Sequence, residues 1–325
     1  MKNIVFVYPS ALQFWMSSEG NLQRYHPDNR VLTSVPSDHR LVSLQAPYDL
    51  LAQQYQLSFP VKILADKANH RFNNSFMSCS VRSEKVPQNS FVRIHNTPDG
   101  YPVYIACPEY CFLSAASHLS FWELVMLGYQ LCACFAPDSM AEYQQRSRTP
   151  IISAAKIAAF LDHCKGAHGI SNASQAISNV LDNAGSPMEI KLAMASTLPF
   201  FRGGVAIIKP ELNAYPELTA KAREQLGYDC RCDMLWRIRK TAAEYDSNST
   251  HLDRHQHAID KDRSTALSLS GYKVISITSD FINSFQSYEE TLVMLRWSLG
   301  MRKAAGQLER YLDRRYELYK FLRQH

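Results

Sequence analysis

The sequence predicts an α/β fold of the α+β kind: a mixed sheet flanked by helices, preceded by a mixed helical and short-strand domain. Three observations predict it. The second half alternates between helical and strand periodicity in the order α-β-β-α-β-α, the pattern of an α/β sandwich. Two strand-length runs, Arg231 to Trp236 and Thr241 to Asp246, are joined by a short basic turn, as in a hairpin. Apolar residues make up 46% of the 325, enough for one or two cores, so disorder is not the default reading.

The first half offers short elements. Ser10 to Met16 reads as a short amphipathic helix, and Pro47 to Tyr55 as another with proline in its first turn. Val61 to Ala65, Phe91 to His95 and Tyr101 to Ala106 have strand length, with Asp99-Gly100 as a turn signal between the last two. Two apolar helices follow, Pro108 to His118 and Ser120 to Cys134. Ser120 and Glu123 form a capping box for the second. Pro137 to Thr149 is polar and aperiodic, a linker by composition. Residues 1–150 are therefore expected to form one domain, and helices within 151–184 to connect it to the next.

In the second half, Ser186-Pro187-Met188-Glu189 is a helix start: a capping serine, proline in the first turn, glutamate at the third helical position. That helix is expected to run to about Leu198, with a turn-rich stretch to Asp229. After the hairpin, Arg254 to Ser270 reads as a helix stopped by Gly271, and Tyr272 to Thr278 as a β-branched strand. Ser279 to Leu299 is again helical. This gives a domain over 185–300 and a basic C-terminal helix over 301–325. In that helix Arg302, Lys303, Arg310, Arg314, Arg315, Lys320 and Arg323 alternate with leucines and tyrosines. Such a helix either lies along phosphates or docks by its apolar face with its charges solvated; the spacing favours docking.

Bulk chemistry narrows the function only slightly. A net charge of +5 is compatible with nucleic acid without indicating it. The start, Met1 to Tyr8 before Pro9, is too short for a signal peptide, and no apolar run reaches the ~18 residues of a membrane helix. A cytoplasmic protein without membrane contact is expected. The eight cysteines are read as buried free thiols, because neither Cys107/Cys111 nor Cys132/Cys134 has the spacing of a zinc knuckle.

The chemistry-bearing constellation is Asp233 with Glu244-Tyr245-Asp246. Strand side chains alternate faces, so Glu244 and Asp246 point the same way, and across a hairpin Asp233 reaches that face. Converging carboxylates repel one another unless a cation sits among them, and Mg²⁺ prefers such hard oxygen ligands. The structural alternative is that these acids are solvated or paired with Arg231 or Arg237. Exposed loop histidines are likewise the simpler reading of His255 and His257.

A longer string runs in one order: Glu189, then Arg231-Cys232-Asp233, Glu244-Tyr245-Asp246-Ser247, His251, Asp260-Lys261-Asp262-Arg263, Leu267 and Gly271-Tyr272-Lys273-Val274-Ile275. It resembles the endonuclease-like domain related to very-short-patch mismatch repair endonucleases, within the PD-(D/E)XK, restriction-endonuclease-like class. The resemblance covers less than a third of the chain. It implies a restriction-endonuclease-like sheet and a metal-dependent DNA endonuclease that hydrolyses phosphodiester bonds, in DNA repair or phage defence. It further implies Mg²⁺, or Mn²⁺, held by Asp233, Glu244 and Glu189. Catalytic roles would fall to these three, to Asp246 and to His251 as a general acid or base. Arg263 and Lys261 would bind phosphate, unless Arg263 pairs with Asp260 one turn away. DNA is the implied partner; a second copy or a defence-system protein is a further one.

Two positions depart from the family pattern: Cys232 stands where proline is usual, and Ser247 where glycine is usual. No lysine follows Glu244 by two; Asp246 stands there. The first half, through Val103 to Glu109, the helix after it, and Glu123 to Gly128, loosely resembles abortive-infection type antitoxins, which are transcriptional regulators. The rival expectation is therefore a catalytically silent DNA-binding regulator or antitoxin-like module.

Overall fold

The computed structural model describes residues 4–17, 30–31, 53, 57–65, 73–81, 86–96, 102–136, 146–246, 254–301 and 305–325. The expected helix at Pro47 to Tyr55 apart from Gln53, the Asp99-Gly100 turn and His251 lie outside the described residues. So do the side chains of Asp260, Lys261, His255 and His257, whose backbone is helical. The chain divides into two units, 1–132 with 148–180, and 133–147 with 181–325.

The first unit is built on a six-stranded mixed sheet. Its strands are β1 (Ile4–Phe6), β2 (Arg30–Val31), β3 (Val61–Ala65), β4 (Met77–Val81), β5 (Phe91–Asn96) and β6 (Pro102–Ala106), in the order β2-β5-β6-β1-β3-β4. Helix α1 (Ser10–Ser17) contacts β3, β6 and α2 (Pro108–Ala115). Helix α3 (Phe121–Leu131) starts at the expected capping box: Ser120 accepts from the Glu123 N–H, and the Glu123 carboxylate accepts from the Ser120 N–H at 2.7 Å.

Helices α4 (Ala154–Asp162) and α5 (Ile170–Ile177) were expected to connect two domains. They pack instead against α2 and α3, burying Ile157, Phe160, Leu161, Ala173, Ala176 and Ile177. Residues 151–180, expected as connecting helices, thus belong to the first unit, and the second resumes at Leu181. An amphipathic helix reveals its buried face in sequence but not the neighbour that covers it.

The second unit includes the small ribbon β7 (Phe135–Ala136) with β8 (Arg146–Ser147), the first just before and the second inside the stretch expected as linker. Then follow α6 (Pro187–Thr197), β9 (Glu211–Ala214), α7 (Ala220–Leu226), β10 (Cys232–Trp236), β11 (Thr241–Asp246), α8 (Arg254–Leu269) and β12 (Lys273–Thr278). The sheet order is β12-β11-β10-β9. Strands β9, β10 and β11 run antiparallel, while β12 lies parallel to β11 after the α8 crossover. The hairpin, α8 and β12 fall where expected, and Gly271 with φ of 78° ends the helix region. The stretch expected as turn-rich differs: it contributes an edge strand, β9, and a short helix, α7.

One face of the sheet packs on α8, through Leu235, Ala242 and Tyr272 against Leu267 with Val274 beside them. This cluster fixes the helix over the sheet. Helices α9 (Phe285–Ser298), α10 (Ala305–Arg310) and α11 (Leu312–Gln324) complete the unit. Helix α11 docks by its apolar face, burying Leu318, Tyr319 and Leu322. Not all its charges are solvated: Arg315 is 1% exposed and forks onto Glu289 of α9, Nε to Oε1 at 2.7 Å and Nη2 to Oε2 at 2.8 Å.

All eight cysteines are free thiols, seven of them buried. No helix among the described residues is long and apolar enough to cross a membrane.

Candidate active site

The site is assembled by strand register. Met234 pairs with Ala243 and Leu235 with Ala242, so one step further along the hairpin Asp233 stands opposite Glu244. Residues directly opposite in an antiparallel pair share a face, so both carboxylates point to the same side of the sheet. The register continues outward in both directions. Cys232 pairs with Ala214 and Met234 with Leu212, which sets Asn213 opposite Asp233, and Glu244 pairs with Ser276. A polar row, Asn213–Asp233–Glu244–Ser276, thus crosses all four strands.

Three members of the row, Asp233, Glu244 and Ser276, open into a cleft of about 190 Å³ that is lined also by Asp246, Arg263 and Ser264, with Tyr245, Leu267 and Val274. Helix α8 forms one wall. Leu267 is held in the core, and Arg263 lies one turn before it on the same helix face.

Each acid has a distinct environment. Asp233 Oδ2 accepts the Tyr245 N–H at 2.7 Å. Burial raises the Asp233 carboxyl above its usual range, partly offset by that N–H and by the Arg263 charge. Glu244 forms an ion pair with Arg263, and beyond it neither buried Oε atom accepts a hydrogen bond. Asp246 lies at the exposed end of β11 and lines the mouth of the cleft. The alternative pairing of Asp233 with Arg231 or Arg237 is not what forms. Arg237 forks onto Glu211 at 2.7 and 2.9 Å, and Arg231 lies over the Tyr215 ring.

Glu189 stands apart from the cleft lining. At the third position of α6 its N–H donates to Ser186 Oγ at 3.1 Å, the expected cap. Its Oε2 accepts the Gly185 N–H and Asn213 Nδ2, both at 2.7 Å. A Cβ on Gly185 would lie 2.7 Å from Asn213 Nδ2, so a larger residue there would push the Asn213 amide out of this arrangement. Burial, and next the charge of Asp233, push the Glu189 carboxyl up to about 7. Glu189 is therefore coupled to the row electrostatically, through Asp233, while Asn213 holds it in place. Among the described residues no group of three or more His, Cys, Asp or Glu is gathered so as to enclose a metal ion. What the fold brings together is the pair Asp233 and Glu244, with Arg263.

The raised carboxyl has a consequence for stability. A carboxyl whose pKa is higher folded than unfolded binds protons more tightly when folded. Its stabilisation is full below the unfolded value near 4.5 and is lost as pH rises through about 7. In EDTA the wild-type protein is thus expected to melt at a lower temperature at pH 8 than at pH 5.5. Glu189→Gln, which keeps an acceptor for Gly185, should flatten that difference. An unchanged pH slope in the variant would remove Glu189 as its source.

Asn213, Gly185 and Ser276 were not foreseen in the sequence. Asn213 has φ of 47°, a left-handed conformation that asparagine tolerates better than most residues. An asparagine in a short run bracketed by Pro210 and Pro216 was the available signal. Comparison with protein-family models, with curated proteins and with solved structures gives no match for this chain.

Proposed function

We propose that the second unit is a metal-dependent deoxyribonuclease-like domain of restriction-endonuclease type, with Asp233 and Glu244 as its metal-binding pair. The observation that carries this reading is the placement of the two acids opposite each other on one sheet face, beside an arginine, in an open cleft. The element order α6-β9-α7-β10-β11-α8-β12, with β12 parallel to β11, supports the same fold reading.

The donor set fits a hard divalent cation. Glu244 presents buried oxygens without hydrogen bonds, and Asp233 has one oxygen beyond that taken by Tyr245. Such a cation, when bound, lowers the pKa of a water and offsets charge on a phosphodiester. The chain's own groups do the rest. The Tyr245 N–H fixes the Asp233 carboxylate, and Arg263 brings a fork of donors suited to phosphate oxygens. Glu189, held near neutrality, can take up a proton close to physiological pH, a task for which no lysine stands two residues after Glu244.

Purified protein is expected to nick or cleave DNA with Mg²⁺ or Mn²⁺ and to lose that activity in EDTA. The second reading, a silent DNA-binding regulator, draws on the Arg263–Glu244 ion pair and on Asp246 in place of lysine. It predicts DNA binding that survives EDTA, with no turnover on duplex, mismatched or single-stranded DNA. Metal-dependent turnover would exclude it.

A further inference from the structure

We infer that Arg263 is a built-in counter-ion for Glu244, one that a divalent cation entering the site must displace. The inference rests on the reading of Asp233 and Glu244 as a metal pair and assigns that site a competitor from within the chain.

Glu244 is a carboxylate whose two oxygens are both shielded from solvent. A shielded carboxylate without hydrogen bonds requires a charge partner, and the Arg263 guanidinium is the one it contacts. The same charge acts on Asp233, favouring its ionised form. One monovalent cation therefore serves both acids, from a helix position anchored by Leu267 a turn away. A divalent cation held by Asp233 and Glu244 would offer the same two acids a larger charge and claim the same Glu244 oxygens. The guanidinium and the metal cannot both hold them.

Displacement has a second effect. Arg263 already lines the cleft, and its side chain is 26% exposed, so a guanidinium released from Glu244 remains where a phosphate would sit. A phosphodiester that draws Arg263 away frees Glu244 for the metal. The metal, by taking Glu244, frees Arg263 for the phosphate. Metal and nucleic acid are then expected to strengthen each other's binding reciprocally.

The test is calorimetric titration of Mn²⁺ into the full chain, for wild type and Arg263→Gln, without DNA. The expected result is Mn²⁺ binding at least about tenfold tighter in the variant, a coupling of ordinary size for two competing ligands. The metal-free variant should also melt lower than wild type and gain more from Mn²⁺. Should Arg263→Gln fail to fold, Arg263→Lys keeps the charge without the planar fork. It is expected to bind Mn²⁺ more tightly than wild type by a smaller factor. Equal affinities in wild type and variant would overturn the counter-ion role and leave the metal pair standing. Absence of Mn²⁺ binding in every form would overturn both.

Discussion

Asp233→Asn is expected to reduce metal-dependent DNA cleavage about a thousandfold or more, on the order of 4 kcal/mol of transition-state stabilisation, while leaving the protein as stable as wild type or more so. The two halves of this expectation have separate causes. The amide is nearly isosteric, and its oxygen still accepts the Tyr245 N–H, so the hairpin keeps its local bond. It carries no charge, however, and is a poor ligand for a hard cation. The stability gain follows from the raised pKa: burial makes the ionised Asp233 costly in the folded state, and the proximity of Glu189 adds to the strain of charge. Cleavage assays paired with thermal melts in EDTA separate the effects. If activity and melting temperature fall together, Asp233 serves the fold. If cleavage persists at the wild-type rate, the metal pair is misassigned.

Arg315→Ala is expected to destabilise the protein by about 3–5 kcal/mol, or roughly 10 °C in Tm. The guanidinium is almost fully buried and forked onto Glu289, so truncation opens a cavity and leaves that carboxylate half-shielded without its partner. Removing both charges avoids the second cost. Arg315→Met combined with Glu289→Leu should therefore lie much closer to wild type than Arg315→Ala does. Urea denaturation of the three proteins measures this. A loss below about 1 kcal/mol for Arg315→Ala would mean the pair behaves as a surface ion pair.

What the sequence made legible was local. The hairpin, its basic turn and the shared face of Glu244 and Asp246 follow from period-two alternation, and the structure has them as expected. The caps at Ser120 and Ser186 follow from short-range hydrogen bonding and also fall in place. What escaped was set by tertiary contact. Arg263 had a local candidate partner in Asp260, whereas its contact with Glu244 joins a helix to a sheet across a crossover. Helices α4 and α5 carried apolar faces that no spacing could assign to α2 and α3. Arg315 read as one more solvated charge because nothing local marks a burial arranged by Glu289 on another helix. Strand β9 escaped for a backbone reason: five residues between prolines, one of them left-handed, look like a turn. Without β9, neither Asn213 nor the full row could be seen.

The row has a bearing on how the chain reaches its working state. Asn213, Asp233, Glu244 and Ser276 come from four strands joined across three seams, two antiparallel and one parallel. Side chains alternate with a period of two, so a slip of a single residue at any seam turns that strand's member of the row away from the others. Strands β10 and β11 carry buried residues on both faces, so a slip there would still bury apolar side chains and yet lack the site. Ligand affinity at this cleft would then report on folding fidelity, distinguishing correctly paired molecules from compact ones that circular dichroism would score alike.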